Sequence, residues 1–185
     1  MQSVEKKRFT VEEYHRMAEL GVLGAADRVE LIEGEIVEMA AMGSLHAACV
    51  RRLDALLSRK LGDTAIVSPQ CPIQLSDLSE PEPDLALLKP REDFYAERHP
   101  WPEDVLLVVE VSNTSLEYDT TVKLPLYAAA GIPEAWTVNL DRQTVEVHSN
   151  PATGTYRQTL RVERGESFAA RTIPGLELAV EDILG

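Results

Sequence analysis

The sequence is poor in cysteine: Cys49 and Cys71 are the only two in 185 residues. They show no metal-binding spacing, and two isolated cysteines read as buried free thiols rather than a disulfide. No apolar run approaches the roughly 20 residues that a membrane helix needs. The charged start, Met1-Gln2-Ser3-Val4-Glu5-Lys6-Lys7-Arg8, is followed by no apolar stretch of signal-peptide type. The cytoplasm is therefore the expected compartment, with no membrane partner. Several chemical signatures are missing too. There is no Gly-Xaa-Gly-Xaa-Xaa-Gly, no Walker Gly-Lys-Ser/Thr, no His-Glu-Xaa-Xaa-His and no Gly-Xaa-Ser-Xaa-Gly. His15, His46, His99 and His148 are scattered and give no zinc pattern.

Positive charge is also scarce. Lys and Arg number 18 against 31 Asp and Glu, a net charge of −13. This counts against a general polyanion-binding surface, because nucleic-acid affinity rests mainly on cations that neutralise phosphates. It leaves room for a local basic strip or a carboxylate-rich metal site. Arg51, Arg52, Arg59 and Lys60 are the densest basic group. Their plainer reading is a solvated helix face.

What is present is an ordinary globular composition, 44% hydrophobic and 26% charged, in a length that suits one domain spanning residues 1–185. Thr10-Val11-Glu12-Glu13 is a capping box, predicting a helix to about Leu20 that stops at Gly21. Val29 to Ile32 and Glu35 to Met39 flank Glu33-Gly34 as a hairpin. Ser44 is placed to cap a second helix ending near Leu61, with Val50, Leu53, Leu57 and Leu61 on its apolar side. Thr64 to Ser68, Pro72 to Leu75 and Asp84 to Leu88 read as strands. Val105 to Val111 is too apolar for an edge and reads as the central strand. Leu116 to Ala130 reads as helix, and Pro125 requires either a start near Leu124 or a kink there. Glu134 to Asn139 and Thr144 to Ser149 form another hairpin. Further β pattern continues at Thr155 to Val162 and Glu166 to Ala169. The expected fold class is α/β (α+β), a mixed sheet flanked by helices, with an N-terminal helix and hairpin.

The candidate chemistry gathers between Pro83 and Trp136. Glu110 interrupts an apolar strand, and a buried carboxylate is costly unless paired, protonated or bound to a metal. By alternation it shares a face with Leu106 and Val108. Its plainer reading is an acid paired with an Arg, or a strand end in water. Asp84 stands at the start of another strand, where a Pro-Asp turn is the plainer reading. Two carboxylates converging at strand ends would suit a hard divalent cation such as Mg²⁺. Lys123, Glu30 and His46 each have surface readings of their own. Ser112, Asn113, Thr114 and Ser115 form either a polar turn or a cradle for substrate oxygens.

In order and spacing, these segments resemble the bacterial Uma-two family of restriction-endonuclease-like proteins. The resemblance rests on Glu30-Leu31-Ile32-Glu33-Gly34-Glu35-Ile36, His46, Glu82-Pro83-Asp84-Leu85-Ala86 and Val108-Val109-Glu110-Val111-Ser112. It continues through Lys123-Leu124-Pro125-Leu126-Tyr127-Ala128 and Gly131-Ile132-Pro133-Glu134-Ala135-Trp136. It covers about residues 10–180 and implies the PD-(D/E)XK nuclease fold.

On that resemblance Asp84 and Glu110 hold Mg²⁺ (or Mn²⁺), and Lys123 replaces the lysine usually found at the place of Ser112. Glu30 completes the metal shell directly or through water, and Glu30 and His46 line the same cleft. Ser112, from the polar turn, is with His46 a candidate to hold the substrate. The implied activity is Mg-dependent hydrolysis of DNA, with contact through a basic surface or the cleft of a homodimer. Two alternatives stand beside it. One is an inactive nuclease-fold module for binding or assembly, suggested by Ser112 and the charge of −13. The other is a metal-dependent hydrolase of a small phosphorylated substrate.

Overall fold

The computed structural model describes residues 6–24, 26–113 and 115–185. Residues 1–5, Ala25 and Thr114 lie outside them.

Helix α1 (Val11–Glu19) begins at the capping box. Thr10 Oγ1 accepts from the Glu13 amide at 3.2 Å, and the Glu13 carboxylate accepts from the Thr10 amide at 3.0 Å. Strands β1 (Val29–Ile32) and β2 (Glu35–Glu38) pair antiparallel. Their turn has φ of +49° at Glu33 and +81° at Gly34, the left-handed pair of a tight hairpin. A Cβ on Gly34 would stand 2.6 Å from Arg8 Cβ, so glycine is required there. Helix α2 (Ser44–Leu61) follows. Its N-cap is Gly43, and Ser44 is already helical.

The centre is a six-stranded sheet. In order across it stand β3 (Ile66–Pro69), β4 (Leu85–Leu88), β5 (Val105–Ser112), β6 (Glu134–Asn139), β7 (Thr144–Ala152) and β8 (Thr155–Glu163). β5 and β6 are parallel and all other neighbours antiparallel, so the sheet is mixed. The crossover from β5 to β6 carries α3 (Leu116–Tyr118), a wide π turn over Asp119–Lys123, and α4 (Leu124–Ala129). β9 (Ser167–Ala169) and β10 (Glu177–Ala179) pair separately, and α5 (Val180–Leu184) follows.

α2 and α5 cover one face, where Cys49, Leu53, Leu57 and Ile183 pack on Leu107, Val109, Val111 and Trp136. Burying each such leucine contributes about 1.5–3 kcal/mol. On the other face Tyr127, Ala128 and Ile132 pack on Ala86, Val108 and Ala135.

Two local expectations are corrected. Pro72 to Leu75 is not a strand. Ile73 and Leu75 donate to Pro81 and Ser79, but Pro72, Pro81 and Pro83 have no N–H to extend a ladder. Strict alternation also fails at Leu106. Leu87 faces Leu107 and Leu88 faces Val105, so Leu106 is the extra residue of a bulge. It packs with Leu107, Val109 and Val111 instead of sharing the face of Val108.

Candidate active site

β4 and β5 set the two acids opposite each other. Leu85 pairs with Val109, so Asp84 and Glu110 stand one position further along the same register. Each is tied to the other's strand. The Asp84 amide donates to Glu110 Oε2 at 3.4 Å, and the Val111 amide donates to Asp84 Oδ2 at 2.8 Å.

Lys123 enters from the crossover. Leu124 N–H bonds back to Asp119, five residues away, because Pro125 offers no N–H and its ring crowds the preceding turn. The widened turn carries the buried Lys123 side chain to the acids. Its Nζ lies 3.2 Å from Glu110 Oε1, 3.3 Å from Glu30 Oε2 and 2.9 Å from the Glu82 carbonyl. Three acceptors thus meet the three N–H donors of an ammonium. Tyr127 donates to Glu110 Oε1 at 2.5 Å. Glu30 is also fully engaged: Tyr118 donates to its Oε1 at 3.2 Å and the Glu82 amide to its Oε2 at 3.1 Å.

The electrostatics follow from this packing. Burial raises the Glu110 carboxyl above the ordinary carboxylate range, while Lys123 opposes the rise. Burial by itself would depress Lys123, but Glu110 and Glu30 outweigh it and hold the ammonium above its usual range. Lys123 therefore stays charged and serves poorly as a base.

His46 comes from the first turn of α2. Its Nε2 lies 3.0 Å from Asp84 Oδ2, and that hydrogen bond raises the imidazole above its ordinary value against the effect of burial. Its Nδ1 is buried without a partner. Ser112 is placed otherwise than expected. It is buried and donates to Asp119 Oδ2 at 2.7 Å, as does Ser115, so it holds a neighbouring acid instead of facing substrate. Asp119 was not singled out by the sequence, although it lines the same cavity and burial raises its carboxyl.

The cavity has a volume of about 430 Å³ and brings together Asp84, Glu110, Lys123, Glu30 and His46. Arg28 and Glu82 also line it, and Met39 to Gly43 form one wall. The basic group on α2 is reduced by one member, because Arg52 donates to the Ile183 and Leu184 carbonyls at the end of α5.

Residues 11–181 match the model of the family Uma2, described as "Putative restriction endonuclease". The chain belongs to the Uma2 family. That family is one of restriction-endonuclease type, and the mixed sheet between helices is its nuclease-like fold. This Uma2 chain resembles a crystal structure of a "putative nuclease belonging to DUF820" from Anabaena variabilis. The two share 17% sequence identity with a TM-score of 0.73, over 95% of this chain and 97% of the other. At that identity the likeness shows the fold. No curated protein matches the chain. No helix among the described residues of this Uma2 chain is long and apolar enough to cross a membrane.

Proposed function

We propose that this Uma2 chain is a divalent-metal-dependent endonuclease that hydrolyses DNA phosphodiester bonds in the Asp84–Glu110 cleft. The observation that carries the reading is the convergence of two carboxylates from adjacent strands with an ammonium group 3.2 Å from one of them. The donor set fits a hard cation such as Mg²⁺ or Mn²⁺, which takes oxygen ligands. Asp84 Oδ1 accepts no hydrogen bond among the described residues, and Glu110 Oε2 has only the long contact of 3.4 Å. These two oxygens would hold the ion. When bound, a divalent cation supplies Lewis-acid polarisation of a phosphoryl oxygen and lowers the pKa of water.

The chain's own residues divide the remaining work. Lys123, kept protonated by its acids, is a fixed positive charge for the phosphate as negative charge develops. Glu30 is a positioning residue: held by Tyr118 and the Glu82 amide, it fixes the Lys123 ammonium. His46 orients Asp84 through its Nε2.

The deciding experiment is plasmid cleavage in Mg²⁺ by the wild type, Asp84→Asn and Glu110→Gln, with thermal melts to verify folding. Cleavage should vanish in both variants. Undiminished Mg²⁺-dependent cleavage in both would overturn the mechanism.

A second reading, hydrolysis of a small phosphorylated substrate, is favoured by the cavity volume of about 430 Å³ and its acidic lining. Faster turnover of nucleotide-sized phosphodiesters than of plasmid would select it.

A further inference from the structure

His15, on α1, Glu80, from the segment that leads to β4, and His99, from the loop between β4 and β5, are distant in sequence. The fold brings one ligand atom from each within 4.8 Å of the others. The histidines show no zinc spacing in the sequence, and this grouping is made by tertiary contact. His15 Nε2 lies 2.7 Å from Glu80 Oε1, and the rings of His15 and His99 meet edge to face at 5.8 Å.

An ordinary ion pair between His15 and Glu80 explains only part of this. Glu80 is 3% exposed, and its other oxygen, Oε2, is buried with no hydrogen-bond partner. A buried carboxylate oxygen without a donor is costly. A cation between the three side chains would satisfy it. Metal–ligand bonds of about 2.0–2.2 Å in a tetrahedral site put ligand atoms about 3.3 Å apart, inside the 4.8 Å that bounds the three atoms. The 2.7 Å between His15 Nε2 and Glu80 Oε1 would open as the ion replaces their hydrogen bond. Two imidazoles with one carboxylate suit zinc and its first-row neighbours, whereas magnesium prefers oxygen ligands throughout.

We propose that His15, Glu80 and His99 form a second metal site, selective for Zn²⁺ or another imidazole-binding first-row ion over Mg²⁺. The bound ion would fasten α1 and the β4–β5 loop to the strand segment at Glu80. A fourth position is left for water. This site is independent of the Asp84–Glu110 cleft, and so is its test.

The test is calorimetric titration of the full chain with Zn²⁺, with excess Mg²⁺ present to occupy oxygen-only sites. The absorption of bound Co²⁺ serves as a second readout. One equivalent of Zn²⁺ should bind to the wild type, to Asp84→Asn and to Cys71→Ser alike. His15→Ala and His99→Gln should weaken that binding by at least about 100-fold, the upper end of what loss of an outer-shell partner costs. Melting curves without metal verify the fold, and His99→Gln carries the test if a variant of the buried Glu80 fails to fold. The proposal is overturned if the wild type binds no Zn²⁺, if His99→Gln binds as the wild type does, or if the binding is lost with Asp84 or Cys71.

Discussion

The Lys123 ammonium is clasped between Glu110 and Glu30, at 3.2 and 3.3 Å, although its nearest helical neighbours belong to a different element from either acid. Removing one partner of a buried pair leaves an uncompensated charge, which costs about 3–5 kcal/mol. Lys123→Ala should show a loss of that size in urea denaturation. Adding Glu30→Gln should recover part of it, because groups in contact do not contribute additively. If the losses of the two single variants simply sum in the double, the clasp has no energetic content.

Glu134 should be as important to the fold as Glu110 is to the cleft. It is fully buried. Its Oε1 accepts from Trp136 Nε1 at 2.7 Å, and its Oε2 accepts from the Arg171 amide, the Thr172 amide and the Thr172 hydroxyl at 2.8–2.9 Å. Glu134→Gln turns one acceptor into a donor facing other donors. A destabilisation of about 1–3 kcal/mol per unsatisfied group is expected in the same denaturation assay. A variant as stable as the wild type would contradict this account of the loop before β10.

Stability should decline on acidification through His148. Its ring is buried between Thr137 and Thr159, and burial lowers its pKa below the ordinary value, with Glu146 opposing. The unfolded chain then binds the proton more readily than the folded one. This contribution is fully present above the unfolded value of about 6.5 and is lost as pH falls towards the lowered value. The slope per proton is at most about 1.4 kcal/mol per pH unit. Comparing unfolding free energies of the wild type and His148→Gln across that window should show a flatter profile in the variant.

The two thiols should differ sharply in reactivity. Cys49 is fully buried beneath α5, and burial pushes its thiol up to about 11. Cys71 is exposed. Since the thiolate is the reactive form, a thiol reagent at neutral pH should modify one site in the native chain and two after denaturation. Cys71→Ser should leave none in the native state. Two sites reacting at equal rates would contradict the burial of Cys49.

Much of the frame was legible from local rules. The capping box at Thr10, the Glu33-Gly34 turn and the apolar run of β5 each state their conformation within a few residues. Glu110 stood out because nothing else in its strand is charged. The expectation of two buried thiols held for Cys49 and failed for Cys71. What stayed hidden depends on distant partners. Glu80, Glu134 and Asp119 look like surface acids until α1, the loop after β9, and Ser112 and Ser115 at the end of β5 enclose them. Leu106 follows alternation in sequence, and only pairing with the shorter β4 makes it a bulge. Pro125 announced an irregularity, but which side chain a widened turn would deliver, and where, is decided by the sheet beneath it.

The reciprocal bonds between Asp84 and β5 and between Glu110 and β4 give the cleft a property of its own. Slipping one strand past the other by a single residue would invert the side-chain faces. Both bonds would break together, and no half-assembled site would persist. The acids therefore work as a lock on strand alignment, with Leu106 upstream taking up the mismatch in length. A chain misaligned there would lose the proposed site before it lost its sheet, so an assay of the proposed cleavage would detect a mispaired fold that circular dichroism would pass as native.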